Sequence, residues 1–238
     1  MTTINLHNID CMQFMKSKPD GYYELACVDP PYGIGCDGKG MSNRASNSPK
    51  FRGYKGREFK GGEWDKNPST KEYFIELKRV SKNYIIWGAN HFIENISNAN
   101  SPSWVVWHKN MQNPNATNAD CELALTSFKT SVKYFRYDWS GFGAVNSGEK
   151  KTHPTQKPVK LYEWLLKNYA SKGDKIFDSH GGSMSSVIAS INMEYSIDCC
   201  ELDADYFRDA TKRVQQHASQ LDLFREQPTI NIHGGYHA

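Results

Sequence analysis

Short apolar runs and segments of helical periodicity alternate along the first third of the chain. The run at 25–28 predicts a buried strand that ends at Asp29, because the two prolines after it cannot donate sheet hydrogen bonds. Residues 70–83 carry apolar side chains at helical spacing, and the apolar run at 84–87 follows directly. This order of strand, helix and strand is typical of an α/β fold.

Two more strands are predicted in the middle of the chain. The runs at 103–108 and 121–128 are rich in apolar residues, and the polar, Asn-rich segment at 109–120 predicts a turn region between them. Residues 129–152 combine aromatic and basic side chains without a sustained period. This segment therefore predicts an irregular surface insertion.

The last third of the chain has the clearest alternation of elements. A helical period begins after Pro158, and residues 175–203 then predict a strand, a turn at Gly181 and Gly182, a helix and a second strand. The two strands cover 175–178 and 195–200. A long final helix is indicated by an apolar face at Tyr206, Ala210, Val214 and Leu221. The pattern as a whole predicts a doubly wound, mostly parallel sheet.

Composition supports a folded catalytic domain. The chain has 238 residues, of which 38% are hydrophobic and 13% aromatic, so it can bury a core and is not predicted to be disordered. Its apolar runs are far shorter than the roughly 20 residues that cross a bilayer, and its first ten residues show no signal-peptide pattern. We therefore expect one soluble, cytoplasmic domain over 1–238, with no membrane partner.

The six cysteines argue against a zinc site. They form no Cys-x-x-Cys pair, and the chain shows no secretory signal. This usage predicts free thiols, most of them in the core, and no bound metal.

The basic charge is concentrated in one segment. Residues 33–66 hold eight Lys or Arg and four Asp or Glu, a net charge of +4, whereas the whole chain carries +3. Glycines and aromatic residues are interleaved with these charges. The segment is either a solvated charged loop or a surface that contacts nucleic acid.

The sharpest local motif is Asp29-Pro30-Pro31-Tyr32, at the end of the first predicted strand. The prolines fix the Asp29 carboxylate beside the Pro30 carbonyl, and together these groups can accept both N–H bonds of an amino group on a planar ring. Tyr32 can stack on the face of that ring. The alternative is a rigid Pro-Pro turn with no chemical role.

A second motif follows the strand at 175–178. The turn at Gly181 and Gly182 lets the backbone approach a ligand closely, and Glu201 ends the next strand, where an acid accepts hydrogen bonds from ribose hydroxyls. These features favour an adenosine-bearing cofactor. The alternative is an ordinary tight turn between strand and helix.

The order of the motifs gives the chain a family resemblance. Asp29 to Tyr32 come first, followed by His153-Pro154-Thr155-Gln156-Lys157-Pro158, then residues 178–185, then Glu201. In this order the chain resembles the S-adenosylmethionine-dependent DNA amino-methyltransferases of the DPPY family, in the arrangement named class beta. The resemblance implies a Rossmann-like α/β fold with a doubly wound, mostly parallel, seven-stranded sheet. It also implies a circular permutation, with the catalytic half first and the cofactor half last.

The resemblance implies a role for each matching residue. Catalytic roles fall on Asp29, Pro30, Pro31 and Tyr32, and cofactor contacts on Asp10, Cys11, Thr155, Lys157, Asp178, His180, Gly182, Ser183 and Glu201. Within this set Glu201 would bind the ribose, and Thr155 and Lys157 would reach the methionine carboxylate. Two positions depart from the family pattern, because His180 replaces a phenylalanine and Met184 a glycine. We expect these departures to alter cofactor affinity.

The implied function is methyl transfer from S-adenosylmethionine to the N6 amine of adenine flipped out of double-stranded DNA. In the family that the chain resembles, enzymes that methylate adenine tend to have aspartate at the first motif position, and enzymes that methylate cytosine tend to have serine there. The expected DNA contacts are Lys39, Arg44, Lys50, Arg52, Lys55, Arg57 and Arg136. Residues 129–152 would be the target-recognition insertion, and the aromatic residues near Arg136 are equally consistent with a structural cluster.

Other functions remain open at this stage. The same Asp-Pro-Pro cradle would serve an RNA or protein amine methyltransferase, and the basic segment would serve a non-catalytic nucleic-acid-binding module. The resemblance suggests a modification enzyme of the restriction-modification type, and it also allows a homodimer.

Overall fold

A computed structural model describes residues 2–35, 64–109, 119–139, 149, 151–220 and 227–234. The strands of these residues are β1 (Thr3–His7), β2 (Tyr23–Val28), β3 (Ser81–Trp87), β4 (Trp104–His108), β5 (Cys121–Thr126), β6 (Lys133–Arg136), β7 (Lys175–Asp178), β8 (Ser196–Cys200) and β9 (Thr229–His233). The α-helices are α1 (Cys11–Lys16), α2 (Lys71–Val80), α3 (Val159–Tyr169), α4 (Ser185–Asn192) and α5 (Ala204–Ser219).

The strands form one sheet in the order β6-β4-β5-β3-β2-β7-β8-β1-β9. Strand β5 is antiparallel to both of its neighbours, and every other pairing in the sheet is parallel. The predicted α/β fold with a mostly parallel sheet is therefore confirmed. The predicted circular permutation stays a prediction.

The strand count differs from the seven that the resemblance implied, because nine strands lie within the described residues. One edge is extended by β6, which pairs with β4 inside the segment that was expected to be irregular. The other edge is extended by β9, which pairs with β1. Both edge strands are short and only partly buried, so their hydrophobic patterns are weak.

Helices cover both faces of the sheet, which confirms the doubly wound arrangement. One buried cluster joins α1 and α2 to the sheet, and the other joins α3, α4 and α5 to the opposite face. The apolar spacing in α2 is explained by this packing, because Phe74, Leu77 and Val80 are buried against the sheet. Among the helices described, none is long and apolar enough to cross a membrane.

The fold brings the predicted motifs to one edge of the sheet. Parallel strands end at the same edge, so Asp29 after β2, the glycine turn after β7 and Glu201 after β8 come together. The chain leaves the centre of the sheet in opposite directions from β2 and β7, and such a switch point is where open α/β sheets bind ligands. Because β5 is antiparallel, its first residues lie at this edge too.

The cysteine prediction is confirmed for the residues described. Cys11, Cys27, Cys121, Cys199 and Cys200 are free thiols, and three of them are buried. The sixth cysteine, Cys36, lies outside the described residues.

Candidate active site

A cavity of about 370 Å³ opens at the carboxyl edge of the sheet. This volume is within the range of about 300–1,000 Å³ that is usual for small-molecule sites. The predicted cofactor residues that line it are Asp10, Cys11, Thr155, Lys157, His180, Gly182, Ser183 and Glu201. Two of the predicted catalytic residues, Asp29 and Pro31, also line it, whereas Pro30 and Tyr32 do not.

The glycine turn after β7 brings backbone against one wall of the cavity. A Cβ atom at Gly181 would lie 2.7 Å from the Cys199 sulfur, and Gly182 has a left-handed φ of +51°. The Gly182 N–H donates to Glu201 Oε2 at 2.7 Å, and the Asp203 N–H donates to Oε1 at 2.9 Å. Burial raises the pKa of Glu201. Its carboxylate is thus held by backbone donors at the cavity wall.

Asp178 was expected to contact the cofactor, but it is not among the lining residues of the cavity. Its carboxylate accepts hydrogen bonds from the Ser186 hydroxyl at 2.5 Å and from the His180 N–H at 3.1 Å. Burial raises the pKa of Asp178 to about 7. The Asp178 side chain therefore stabilises the turn between β7 and α4 by hydrogen bonds.

Met184 begins that helix in an unusual conformation. It is fully buried and has a φ of +56°, which is left-handed and favours glycine. The resemblance places a glycine at this position. Methionine here therefore adopts, at the start of α4, a backbone conformation that suits glycine better.

An aromatic group next to the glycine turn also lines the cavity and was largely missed by sequence reasoning. The His153 ring lies 4.4 Å from the Tyr206 ring and 5.3 Å from the Trp64 ring, measured between centroids. Thr155 donates its backbone N–H to His153 Nδ1 at 3.4 Å. Burial lowers the pKa of His153 to about 3, so the ring is neutral. His153 lies in a recognised motif, but no local pattern marks Trp64 or Tyr206.

A cluster of charges surrounds Asp29. The Tyr32 hydroxyl donates to Asp29 Oδ1 at 2.7 Å, and the Lys157 ammonium lies 2.5 Å from Oδ2. The same ammonium lies 3.0 Å from Glu122 Oε2, and Lys109 lies 2.5 Å from Oε1 of that residue. The cluster therefore joins two carboxylates to two ammonium groups.

The contact that the resemblance implies for the Lys157 ammonium stays a prediction, and the structure gives this group two carboxylate partners. The resemblance placed its ammonium on the cofactor's methionine carboxylate, but here it lies between Asp29 and Glu122, and its side chain is only 3% exposed. Glu122 was not predicted, because its position depends on the antiparallel direction of β5, which the sequence pattern does not show.

Burial and pairing compete within the cluster. Burial raises the pKa of Asp29, and the ammonium of Lys157 opposes this effect. For Glu122, burial is outweighed by Lys157 and Lys109, which bring its pKa down to about 2. Burial would lower the pKa of Lys157, but the two carboxylates raise it. Lys157 is therefore cationic and favours the ionised form of Asp29.

Tyr32 is not among the residues that line the cavity, and one face of its ring is covered, so the expected stacking on a base stays a prediction. Its ring stacks on His91 with centroids 5.0 Å apart and planes 17° apart. A Cβ atom at Gly88 would lie 2.1 Å from the Tyr32 ring. Glycine at position 88 thus makes room for Tyr32 after β3.

Six of the seven predicted DNA contacts, Lys39, Arg44, Lys50, Arg52, Lys55 and Arg57, lie outside the described residues. Arg136 is exposed on β6. Near it, Trp139 is buried and donates its indole N–H to the Gln156 carbonyl at 2.7 Å, so this aromatic residue is structural.

The two ends of the basic segment meet beside the Asp29 motif. The Gly33 N–H donates to Asp65 Oδ1 at 2.8 Å, and the Gly35 N–H donates to the Asp65 carbonyl at 3.0 Å. Tyr32 and Pro68 form a further β-bridge. Residues on both sides of the segment are therefore fixed close to the candidate site.

The cavity fits an adenosine-bearing sulfonium cofactor. Glu201 offers acceptor oxygens, Gly182 allows close approach of backbone, and aromatic rings also line the cavity. The indole N–H of Trp64, on the cavity wall, is buried and has no hydrogen-bond partner among the described residues. A bound ligand can supply the acceptor for this donor.

Solved structures share the fold of this chain. The crystal structure of the M1.HpyAVI-SAM complex matches with a TM-score of 0.57 and 18% identity, over 89% of this chain and 99% of that one. The PvuII DNA methyltransferase, which is cytosine-N4-specific, matches with a TM-score of 0.56 and 13% identity, over 95% of this chain and 90% of that one. The fold is that of the class I S-adenosylmethionine-dependent methyltransferases.

Sequence comparisons show similarity to DNA methyltransferases. Residues 106–212 match the N6/N4 methyltransferase family model, described as DNA methylase. The Type II methyltransferase M2.MboI of Moraxella bovis is 24% identical over 254 aligned residues, which cover 89% of this chain and 88% of that protein. These comparisons show that the chain is similar to N4/N6 DNA methyltransferases, and they support S-adenosylmethionine as the cofactor.

Proposed function

We propose that this protein transfers a methyl group from S-adenosylmethionine to the N6 amine of an adenine flipped out of double-stranded DNA. The observation that carries the proposal is the position of Asp29. Its carboxylate lies on the wall of the cofactor cavity and is oriented by Tyr32 and Lys157.

Asp29 is suited to hold an amine rather than to remove its proton. Within the described part of the chain, one Asp29 oxygen is paired with the Tyr32 hydroxyl and the other with the Lys157 ammonium, and each has capacity to accept a further hydrogen bond. Charge-assisted hydrogen bonds from the amine to Asp29 contribute about 1.5–3 kcal/mol each. The amine lone pair is then aimed at the cavity.

S-adenosylmethionine, when bound, supplies an electrophilic methyl group on its sulfonium. The residues of the chain contribute position: Glu201 binds the ribose, Gly182 and Ser183 contact the methionine side, and Asp10 lies near the adenine. Placing two reactants about 3–3.5 Å apart with aligned orbitals removes much of the entropic barrier to transfer. Positioning is thus the main source of catalysis in this proposal.

Flipping brings the target amine within reach of Asp29. Extrusion of a base costs a few kcal/mol, and stacking on an aromatic ring offsets part of this cost. In the ligand-free protein His91 covers a face of Tyr32, so stacking of adenine on that face requires His91 to move. The basic segment, whose ends are anchored near Tyr32, supplies the phosphate contacts.

The choice of adenine over cytosine rests on Asp29. The family resemblance associates aspartate at this position with adenine and serine with cytosine. The cytosine-N4-specific enzyme matched above has the same fold, so the fold does not decide the base.

Two variants test whether Asp29 binds the target amine and Glu201 binds the cofactor. Each is measured by calorimetry with S-adenosylmethionine and by transfer of a labelled methyl group to duplex DNA. Asp29→Ala is expected to abolish transfer and leave cofactor affinity within about twofold, because Asp29 contacts the amine. Glu201→Ala is expected to weaken cofactor binding by about 10- to 150-fold, the equivalent of about 1.5–3 kcal/mol. The exposed Asp209→Ala is the matched control.

Loss of cofactor binding in Asp29→Ala would show that Asp29 belongs to the cofactor site instead. Unchanged affinity in Glu201→Ala would refute its role at the ribose.

A further inference from the structure

Two buried side chains, Tyr73 and Ser179, are linked by hydrogen bonds to the partly buried His180 at the cofactor cavity. The Tyr73 hydroxyl lies 2.6 Å from the Ser179 hydroxyl, which lies 2.8 Å from His180 Nδ1. Tyr73 is 4% exposed and Ser179 2% exposed, while His180 lines the cavity. Neither Tyr73 nor Ser179 was assigned a role by the motifs.

The available protons select one direction for the hydrogen bonds between Tyr73, Ser179 and His180. If Tyr73 donates to Ser179, then Ser179 donates to His180 Nδ1 and each hydroxyl proton has an acceptor. If the direction is reversed, the Tyr73 proton is left without an acceptor among the described residues. A buried donor without an acceptor is strongly unfavourable. His180 Nδ1 is therefore an acceptor, and the imidazole proton is on Nε2.

Among the described residues, the Nε2 side of the His180 ring has only a weak partner. Cys11 Sγ lies 3.9 Å from His180 Nε2, and both residues line the cavity. A thiol sulfur is a weak acceptor. Burial lowers the pKa of His180 to about 4, against the charge of Asp10, so the ring is neutral at physiological pH.

We propose that His180 donates its Nε2–H to an acceptor atom of bound S-adenosylmethionine, and that Tyr73 and Ser179 are positioning residues that hold this tautomer. The inference rests on the proposed function only in taking S-adenosylmethionine as the ligand. A phenylalanine, which the family resemblance places here, packs against a cofactor but donates no hydrogen bond. The histidine therefore adds a polar contact to the site.

The tautomer is tested first in the protein without cofactor. Nitrogen-15 NMR of histidine-labelled protein, with His180 assigned from the His180→Phe spectrum, is expected to show a protonated Nε2 and an unprotonated Nδ1. Ser179→Ala is expected to give a mixture of tautomers, whereas the exposed Ser219→Ala leaves the His180 signals unchanged. A protonated Nδ1 in the unaltered protein would overturn the inference, and so would an unchanged His180 tautomer in Ser179→Ala.

Cofactor binding is tested next by calorimetry. His180→Phe is expected to weaken S-adenosylmethionine binding by about tenfold, the size of one neutral hydrogen bond, and Ser179→Ala by about threefold. Tyr73→Phe is expected to shift the His180 tautomer in the same direction as Ser179→Ala, and Tyr195→Phe, whose hydroxyl contacts the Ala170 carbonyl, is its control.

The two proposals fail in different ways. Absence of cofactor binding by the unaltered protein would contradict the proposed function, while the NMR result would still decide the tautomer. Cofactor binding that is normal in both the unaltered protein and His180→Phe would overturn this inference and leave the proposed function intact.

Discussion

Replacing Lys157 by methionine removes the ammonium group that lies between the carboxylates of Asp29 and Glu122. The variant keeps the length and much of the apolar stem of the side chain, which is 3% exposed. Two unit charges 2.5 Å apart attract by about 7 kcal/mol at an effective dielectric constant of about 20, and desolvation offsets much of this. Removing one partner of a buried pair costs about 3–5 kcal/mol.

The effect on catalysis follows from Asp29. Burial raises the pKa of Asp29 and Lys157 opposes that rise, so the variant is expected to hold this carboxyl in its protonated form over a wider pH range. A protonated Asp29 is a poorer acceptor for the target amine. Loss of one charge-assisted hydrogen bond predicts a decrease in kcat of about 10- to 150-fold at pH 7, and a smaller decrease at pH 9.

The assay measures labelled methyl transfer to duplex DNA between pH 6 and 9, together with cofactor affinity by calorimetry and stability by urea unfolding. Lys160→Met, at a solvent-exposed position on α3, is the control. If Lys157→Met unfolds, the double variant Lys157→Met with Glu122→Gln is used instead. It also removes the negative charge of Glu122, which has lost its Lys157 partner, and is expected to recover part of the stability. Cofactor affinity that falls in proportion to transfer, with no change in the pH profile, would refute this reasoning and favour contact with the methionine carboxylate.

Three further variants test other parts of the structure. Gly88→Ala places a Cβ atom 2.1 Å from the Tyr32 ring, so transfer is expected to fall about tenfold or more while cofactor affinity stays within twofold; unchanged transfer would contradict this. Gly181→Ala places a Cβ atom 2.7 Å from the Cys199 sulfur and should lower the free energy of unfolding by about 1–3 kcal/mol, whereas an unchanged urea midpoint would show that the turn adapts. Burial raises the pKa of Asp178 from 3.8 to about 7. Between these pH values the folded protein keeps a proton that the unfolded chain releases, so the stability due to Asp178 is lost as pH rises from about 4 to 7. Relative to Asp178→Asn, the unaltered protein is thus expected to lose about 2 kcal/mol between pH 5 and 8, and parallel stability profiles would contradict the assignment.

The parts of the site that sequence could predict are those that follow parallel strands. Asp29 and Glu201 each come directly after a buried apolar run, and the ends of such strands meet at one edge of a sheet. Glycines at 181 and 182 indicate a close backbone turn for a similar local reason. Most of the predicted cofactor residues consequently line the same cavity.

The parts that sequence missed depend on contacts between distant segments. Glu122 lies at the start of an antiparallel strand, and its position beside Lys157 requires the order of the whole sheet. The contacts of Lys157 with Asp29 and Glu122 were not predicted, because an ammonium group suits a cofactor carboxylate equally well and only the packed structure brings these three side chains together. Edge strands β6 and β9 are short and partly exposed, so they lack the apolar pattern that marked the central strands.

The most direct test of the proposed function is to identify the methylated nucleoside. The protein is incubated with methyl-labelled S-adenosylmethionine and unmodified plasmid DNA, with total RNA in parallel and Asp29→Ala as the inactive control, and digested products are analysed by mass spectrometry. Label is predicted in N6-methyladenine from DNA and in no product of the Asp29→Ala reaction. Label in N4-methylcytosine, label confined to RNA, or cofactor binding without any transfer would contradict the proposal.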